Sequence, residues 1–177
     1  MAGYTTTSKI LDEHIPPNSV VVFDWDNTLK LYDCQTRTIK SRVDRQFLER
    51  LKKEKSCTLF VISAIRPSRM NMETLLLEMG RLGLTDIFAD IDPKDAASIS
   101  KHIAVVAGRY ASCGNIIICG YDKSEVFLEV MSERRKRENW NSEGEETVVF
   151  FDDEVVNIEN FCVIVKNSTC FHIVDDL

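Results

Sequence analysis

No stretch of the 177-residue chain approaches the roughly 20 consecutive apolar residues that a bilayer span requires. The first residues, Met1 to Lys9, are polar and include no apolar segment of the kind that directs export. An intracellular protein without a membrane partner is therefore expected. The six cysteines (Cys34, Cys57, Cys113, Cys119, Cys162 and Cys170) form no CxxC pair, and several lie in apolar runs such as Ile116-Ile117-Ile118-Cys119. This pattern argues against a disulfide framework or a thiolate zinc site and fits small buried side chains in a reducing compartment, cytoplasmic or nuclear. His14, His102 and His172 show no metal-ligand spacing. Positive charge is in deficit, with a net charge of −6, which argues against a protein that coats nucleic acid by bulk electrostatics. The basic run Arg134-Arg135-Lys136-Arg137 reads as a solvated helix end, where the macrodipole favours cations. Internal repeats, low-complexity tracts and Gly/Ser linkers are also missing. With 44% hydrophobic residues, the chain is expected to form one domain over 1–177.

Short apolar runs bounded by polar turns predict strands at Val20 to Phe23, Thr58 to Ile62, Ile87 to Ala89, Ile116 to Cys119, Val148 to Phe151 and Cys162 to Val165. Helical spacing of apolar residues predicts helices around Val43, Phe47, Leu48 and Leu51, and around Met72, Leu75, Leu76, Met79 and Leu82. Two more are expected over Ala96 to Tyr110, opened by Asp92-Pro93, and around Val126, Phe127, Val130 and Met131. The alternation predicts an α/β fold with a mostly parallel central sheet and helices on both faces. In such folds the working crevice lies beyond the C-terminal ends of the strands.

Polar residues follow several of these strands directly. Asp24-Trp25-Asp26-Asn27-Thr28 emerges after Val20 to Phe23, and alternation turns Asp24 and Asp26 to one side with Trp25 packed on the other. Two carboxylates that close resist joint ionisation unless a cation lies between them or one keeps its proton. Ser63 ends the second strand, Lys123 opens a helix after another, and Asp152-Asp153 follow Val148 to Phe151. Such a set suits attack on a phosphate monoester. The substrate is a dianion, and about 4 kcal/mol of repulsion per charge pair must be offset by cations. Asp24 is the expected nucleophile and Asp26 the general acid and base. Ser63 and Lys123 would bind the phosphoryl group, and Asn157 would orient Asp152 or its loop. The carboxylates of Asp152 and Asp153, with Asp24 and a strand-end carbonyl, would hold a magnesium ion.

The order DxDxT, strand-terminal Ser, Lys and an acidic pair, in Val20 to Thr28, Phe60 to Ser63, Tyr121 to Ser124 and Val148 to Asn157, resembles the haloacid dehalogenase-like (HAD) superfamily. The resemblance implies a Rossmann-like three-layer α/β/α sandwich with little or no cap domain, and a Mg2+-dependent phosphatase working through an aspartyl-phosphate. It implies catalytic Asp24 and Asp26, substrate-binding Thr28, Ser63 and Lys123, and metal donors Asp24, Asp26, Asp152 and Asp153. Asn27 replaces the glycine of many members, as is common in the phosphoprotein phosphatase branch, whereas Ser63 stands where that branch has threonine. The short span from Asp26 to Ser63 implies an open site and a phosphoprotein or other macromolecular phosphate as substrate. The alternatives are a small-molecule or nucleotide-end phosphatase and a catalytically silent binding scaffold with the same fold. Residues 90–120 exceed a minimal member and are expected to extend the sheet or form a small lid. They also contain Lys94, a rival to Lys123 for the phosphate-neutralising role.

Overall fold

In the computed structural model, which describes residues 3–91, 96–139 and 146–175, the chain begins with β1 (Thr5–Thr7) and β2 (Val20–Phe23). A hairpin of β3 (Lys30–Asp33) and β4 (Thr38–Ser41) follows, then α1 (Arg45–Lys53) and β5 (Thr58–Ser63). Next come α2 (Arg69–Arg81), α3 (Thr85–Ala89), α4 (Ala96–Lys101), β6 (Ile103–Val106), β7 (Tyr110–Cys113) and β8 (Ile116–Ile118). The last elements are α5 (Lys123–Glu138), β9 (Val148–Asp152), α6 (Val155–Ile164) and β10 (Ser168–Ile173).

All four residues of β2 are buried, and they alternate between two apolar clusters. Val21 and Phe23 pack with Leu48, Leu51, Met72 and Leu75 of α1 and α2. Val20 and Val22 pack with Phe127, Val130, Ile158 and Phe161 of α5 and α6. Helices therefore cover both faces, and strands buried on both sides read as continuous apolar runs. Among the described residues the main sheet has eight strands in the order β1-β10-β9-β2-β5-β8-β7-β6. Pairing is parallel from β1 through β8 and antiparallel at the β8-β7-β6 end. The mostly parallel α/β architecture expected from the sequence is the one observed. Helix starts follow local chemistry: Asp44 accepts from the Phe47 amide at α1, and Ser68 from the Asn71 amide at α2.

Three elements differ from expectation. Ile87 to Ala89 lies in α3, whose residues other than Asp86 are buried and which ends on Asp90 at φ 55°. A short apolar run does not distinguish a strand from a buried helical turn. Cys162 to Val165 closes α6 and its C-cap, with Ile158 and Phe161 facing the core at helical spacing; the following strand is β10. The helix expected over Ala96 to Tyr110 stops at Lys101. Its β-branched residues Ile103, Val105 and Val106 form β6, which pairs with β7 across a turn where Gly108 adopts φ 72°. Strands β6 and β7 belong to the main sheet, so of the two readings of residues 90–120 the described part extends the sheet. Asp92-Pro93, Lys94 and Trp140 lie outside the described residues.

Close backbone approach explains one glycine. At Gly114, which has φ 57°, an added Cβ would meet the Ala89 Cα at 2.6 Å. None of the six cysteines is in a disulfide, and Cys57, Cys113, Cys119 and Cys170 are buried. Among the described residues no helix is long and apolar enough to cross a membrane.

Candidate functional site

The parallel strands β2, β5, β8 and β9 all end at the same edge of the sheet. Asp24 extends β2, its amide donating to the Phe151 carbonyl at 2.9 Å. The chain then turns back sharply: the Lys30 amide donates to the Trp25 carbonyl at 2.9 Å, and Asn27 takes the left-handed region at φ 62°. Asparagine tolerates that region better than most residues. Trp25 is fully buried beneath the turn, whereas Asp24 and Asp26 both line a cleft of about 180 Å3. Ser63, Lys123 and Asp153 line the same cleft. Four segments far apart in sequence thus deliver their polar ends to one place.

Lys123 is the centre of the charge arrangement. Its Nζ lies 2.6 Å from Asp24 Oδ1 and 2.6 Å from Asp152 Oδ2, and the exposures of Lys123, Asp24 and Asp152 are only 3%, 5% and 0%. Thr28 donates to Asp24 Oδ2 at 2.9 Å. Asp152 accepts from Asn157 Nδ2 at 3.1 Å and from the Glu154 amide at 2.8 Å, so Asn157 orients Asp152. Asp153 is partly buried, and His172 Nε2 donates to its carbonyl at 3.0 Å. The acceptor there is a carbonyl, which fixes the proton on Nε2.

Three carboxylates against one ammonium leave an excess of negative charge. Burial raises the Asp24 carboxyl to about 7; Lys123 opposes the shift and Asp152 adds to it. Asp153 is also raised, by burial and then by Asp152. Burial acts to lower Lys123, but Asp24 and Asp152 more than offset it, and its pKa stands above the ordinary lysine value. One ligand atom each from Asp24, Asp152 and Asp153 lies within 4.8 Å of the others, close enough for a single cation.

The arrangement departs from expectation at two residues. Asp26 stands outside this three-acid group: its side chain is 50% exposed, and its Oδ1 lies 2.5 Å from Lys30 Nζ at the rim of the cleft. Two positions beyond Asp24, it has already left the strand for the turn. Thr28 is fully buried behind Asp24, so its hydroxyl holds that carboxylate instead of facing a substrate. Lys123 occupies the site, while its rival Lys94 is outside the described residues.

Sequence reasoning missed several supports. Arg42 clamps the turn from behind, donating through Nε to the Thr28 carbonyl at 2.7 Å and through Nη2 to the Asn27 carbonyl at 2.9 Å. It also reaches Ser8 O and Asp175 Oδ1. Glu78 accepts from Trp25 Nε1 at 2.6 Å and from Lys30 Nζ at 2.9 Å. No local spacing signals these contacts, since Asp26 lies in the turn and Lys30 opens β3. The basic helix end is largely engaged: Arg134 lies over the Phe60 ring at 4.8 Å, and Arg135 pairs with Glu146 at 2.7 Å.

No family model, no curated protein and no solved structure matches this chain.

Proposed function

We propose that this chain is a phosphomonoester hydrolase of the haloacid dehalogenase-like type. In this reading it depends on magnesium, works through an aspartyl-phosphate on Asp24, and acts on a phosphoprotein or other macromolecular phosphate. The observation that supports it most is the buried Asp24–Lys123–Asp152 arrangement, joined by Asp153, at the C-terminal ends of adjacent parallel strands. A capping or purely structural role does not call for two buried carboxylates on one buried lysine with a third carboxylate beside them, because buried charge is costly.

The donor set fits a hard divalent cation. Asp24, Asp152 and Asp153 offer carboxylate oxygens only, with an unbalanced negative charge, which suits magnesium better than softer metals. When bound, the ion would supply positive charge to the phosphoryl oxygens and favour the ionised form of Asp24.

The chain's own residues then divide the work. The Asp24 carboxylate forms the bond to phosphorus as the bond to the leaving oxygen breaks, and Asp26 at the rim delivers a proton to that oxygen. In the second half water attacks the acyl phosphate, Asp26 takes its proton, and Asp24 is released. Lys123 balances charge between Asp24 and Asp152, and Thr28 and Asn157 keep those carboxylates oriented. Ser63, which lines the cleft, would donate to a phosphoryl oxygen. An accessible substrate is favoured because the hairpin β3-β4 and α1 occupy the Asp26 to Ser63 segment, and β6 and β7 are spent on the sheet.

The test is release of phosphate from a generic aryl phosphate, with magnesium and with chelator. Turnover that needs magnesium and disappears in Asp24→Asn is expected. Metal-independent turnover, or full activity in that variant, would refute the mechanism.

A further inference from the structure

Asp26 has to aim a proton from an exposed position. A proton donor must stay within about 3 Å of the oxygen it serves. The Asp26 side chain is half exposed and sits in the turn beyond β2. An aspartate in such a place has three staggered χ1 wells and a broad, roughly two-fold χ2, so about six orientations are open to it.

One contact removes that freedom. Lys30 Nζ lies 2.5 Å from Asp26 Oδ1 and 2.9 Å from Glu78 Oε1. The same Glu78 oxygen accepts from Trp25 Nε1 at 2.6 Å, and Trp25 is fully buried. The Lys30 side chain, only 17% exposed, is thus held through Glu78 by α2 and by a buried indole. The direction of the hold follows from the surroundings. Asp26 lines both the phosphoryl cleft and a neighbouring cleft of about 160 Å3, whereas Lys30 and Glu78 line only the neighbouring one. Oδ1 is therefore drawn to that side, and Oδ2, which makes no hydrogen bond among the described residues, is left for the phosphoryl side. The contact is also compatible with proton transfer. A carboxylate accepts the ammonium hydrogen at Oδ1, and a carboxyl protonated on Oδ2 keeps Oδ1 as an acceptor.

We propose that Lys30, anchored by Glu78, is the positioning residue for Asp26. It keeps Oδ2 directed at the leaving oxygen in the first half of the reaction and at the attacking water in the second. This rests on the phosphatase reading above. Lys30 touches no substrate and acts through Asp26 alone.

The experiment measures kcat/KM for nitrophenyl phosphate and phenyl phosphate with magnesium, each protein at its own pH optimum, so that a change in how readily Asp26 carries a proton does not enter. A nitrophenolate departs without a proton, whereas an unsubstituted phenolate needs one, and kcat/KM is insensitive to the later attack of water. The nitrophenyl-to-phenyl ratio is taken on one sample, so any loss of folded protein cancels. In Asp26→Asn the ratio should rise about tenfold or more. In Lys30→Met it should rise about fivefold, as the carboxyl spreads over its open orientations. Lys30→Met added to Asp26→Asn should raise it no further, because the two residues act as one unit. A ratio unchanged in Lys30→Met, or one that rises equally in the Asp26→Asn background, overturns the positioning role. If that happens while Asp26→Asn still raises the ratio, the phosphatase reading survives and only the role of Lys30 falls. Hydrolysis of neither ester by wild type overturns both.

Discussion

Replacing Lys123 by methionine keeps most of its volume and removes the one ammonium between two buried carboxylates. Asp24 and Asp152 would lose contacts of 2.6 Å each, in a place where Asp152 has no exposure to water that could compensate. Breaking a buried pair by deleting one partner costs about 3–5 kcal/mol, a large part of the roughly 5–15 kcal/mol that holds an ordinary domain together. The cost should depend on pH. Burial already raises Asp24 from 3.8 to about 7. A raised group contributes stability that is complete below its unfolded value and is lost as pH rises through its folded value. Without the opposing ammonium the carboxyl is raised further, so the variant loses more stability than wild type as pH increases. Urea unfolding in chelator at about pH 5 and about pH 8 measures this directly. The expected difference between the two proteins is about 3–5 kcal/mol at the higher pH and clearly smaller at the lower. A difference below about 1 kcal/mol at the higher pH, or one that does not change with pH, would refute the reasoning.

Three further outcomes are expected. Metal-free wild type should become less stable between about pH 5 and about pH 8, and Asp24→Asn should flatten that decline because it removes the raised carboxyl; equal slopes in thermal melts would contradict this. Saturating magnesium should stabilise wild type by about 2.7 kcal/mol at a hundred times its dissociation constant. Calorimetry should show that gain reduced in Asp153→Asn, whose carboxylate belongs to the three-acid group; an identical gain would remove Asp153 from the metal set. Gly114→Ala should lower stability by about 1–3 kcal/mol, because the new Cβ must push back the Ala89 backbone at 2.6 Å from a left-handed φ; denaturant midpoints equal to wild type would show that the contact relaxes freely.

Much of the site was legible because its residues sit immediately after strands whose burial makes them unmistakable. Val20 to Phe23 and Val148 to Phe151 are apolar throughout, Thr58 to Ile62 is apolar after its first residue, and the three are followed by Asp24, Asp152 and Ser63 respectively, so locating each strand also located a candidate site side chain. The hairpin β3-β4 was not legible, since Lys30–Asp33 and Thr38–Ser41 mix polar and apolar residues and their connection uses Arg37 at φ 55° without glycine. Short runs such as Ile87 to Ala89 satisfy strand and helix equally, and only the packing of α3 beside α2 decides between them. The roles of Arg42 and Glu78 are tertiary. Nothing local marks an arginine that binds the Asn27 and Thr28 carbonyls, or a helix carboxylate that meets both Trp25 and Lys30.

The nucleophile is the central claim, and it can be trapped. Hydride reduction of a carboxyl bound to phosphate yields an alcohol, so borohydride quenching during turnover with magnesium should convert Asp24 to homoserine, located by peptide mass mapping. The account predicts that product at position 24, dependent on both phosphate ester and magnesium. Turnover with position 24 unmodified, or with the product on another carboxylate, would contradict it.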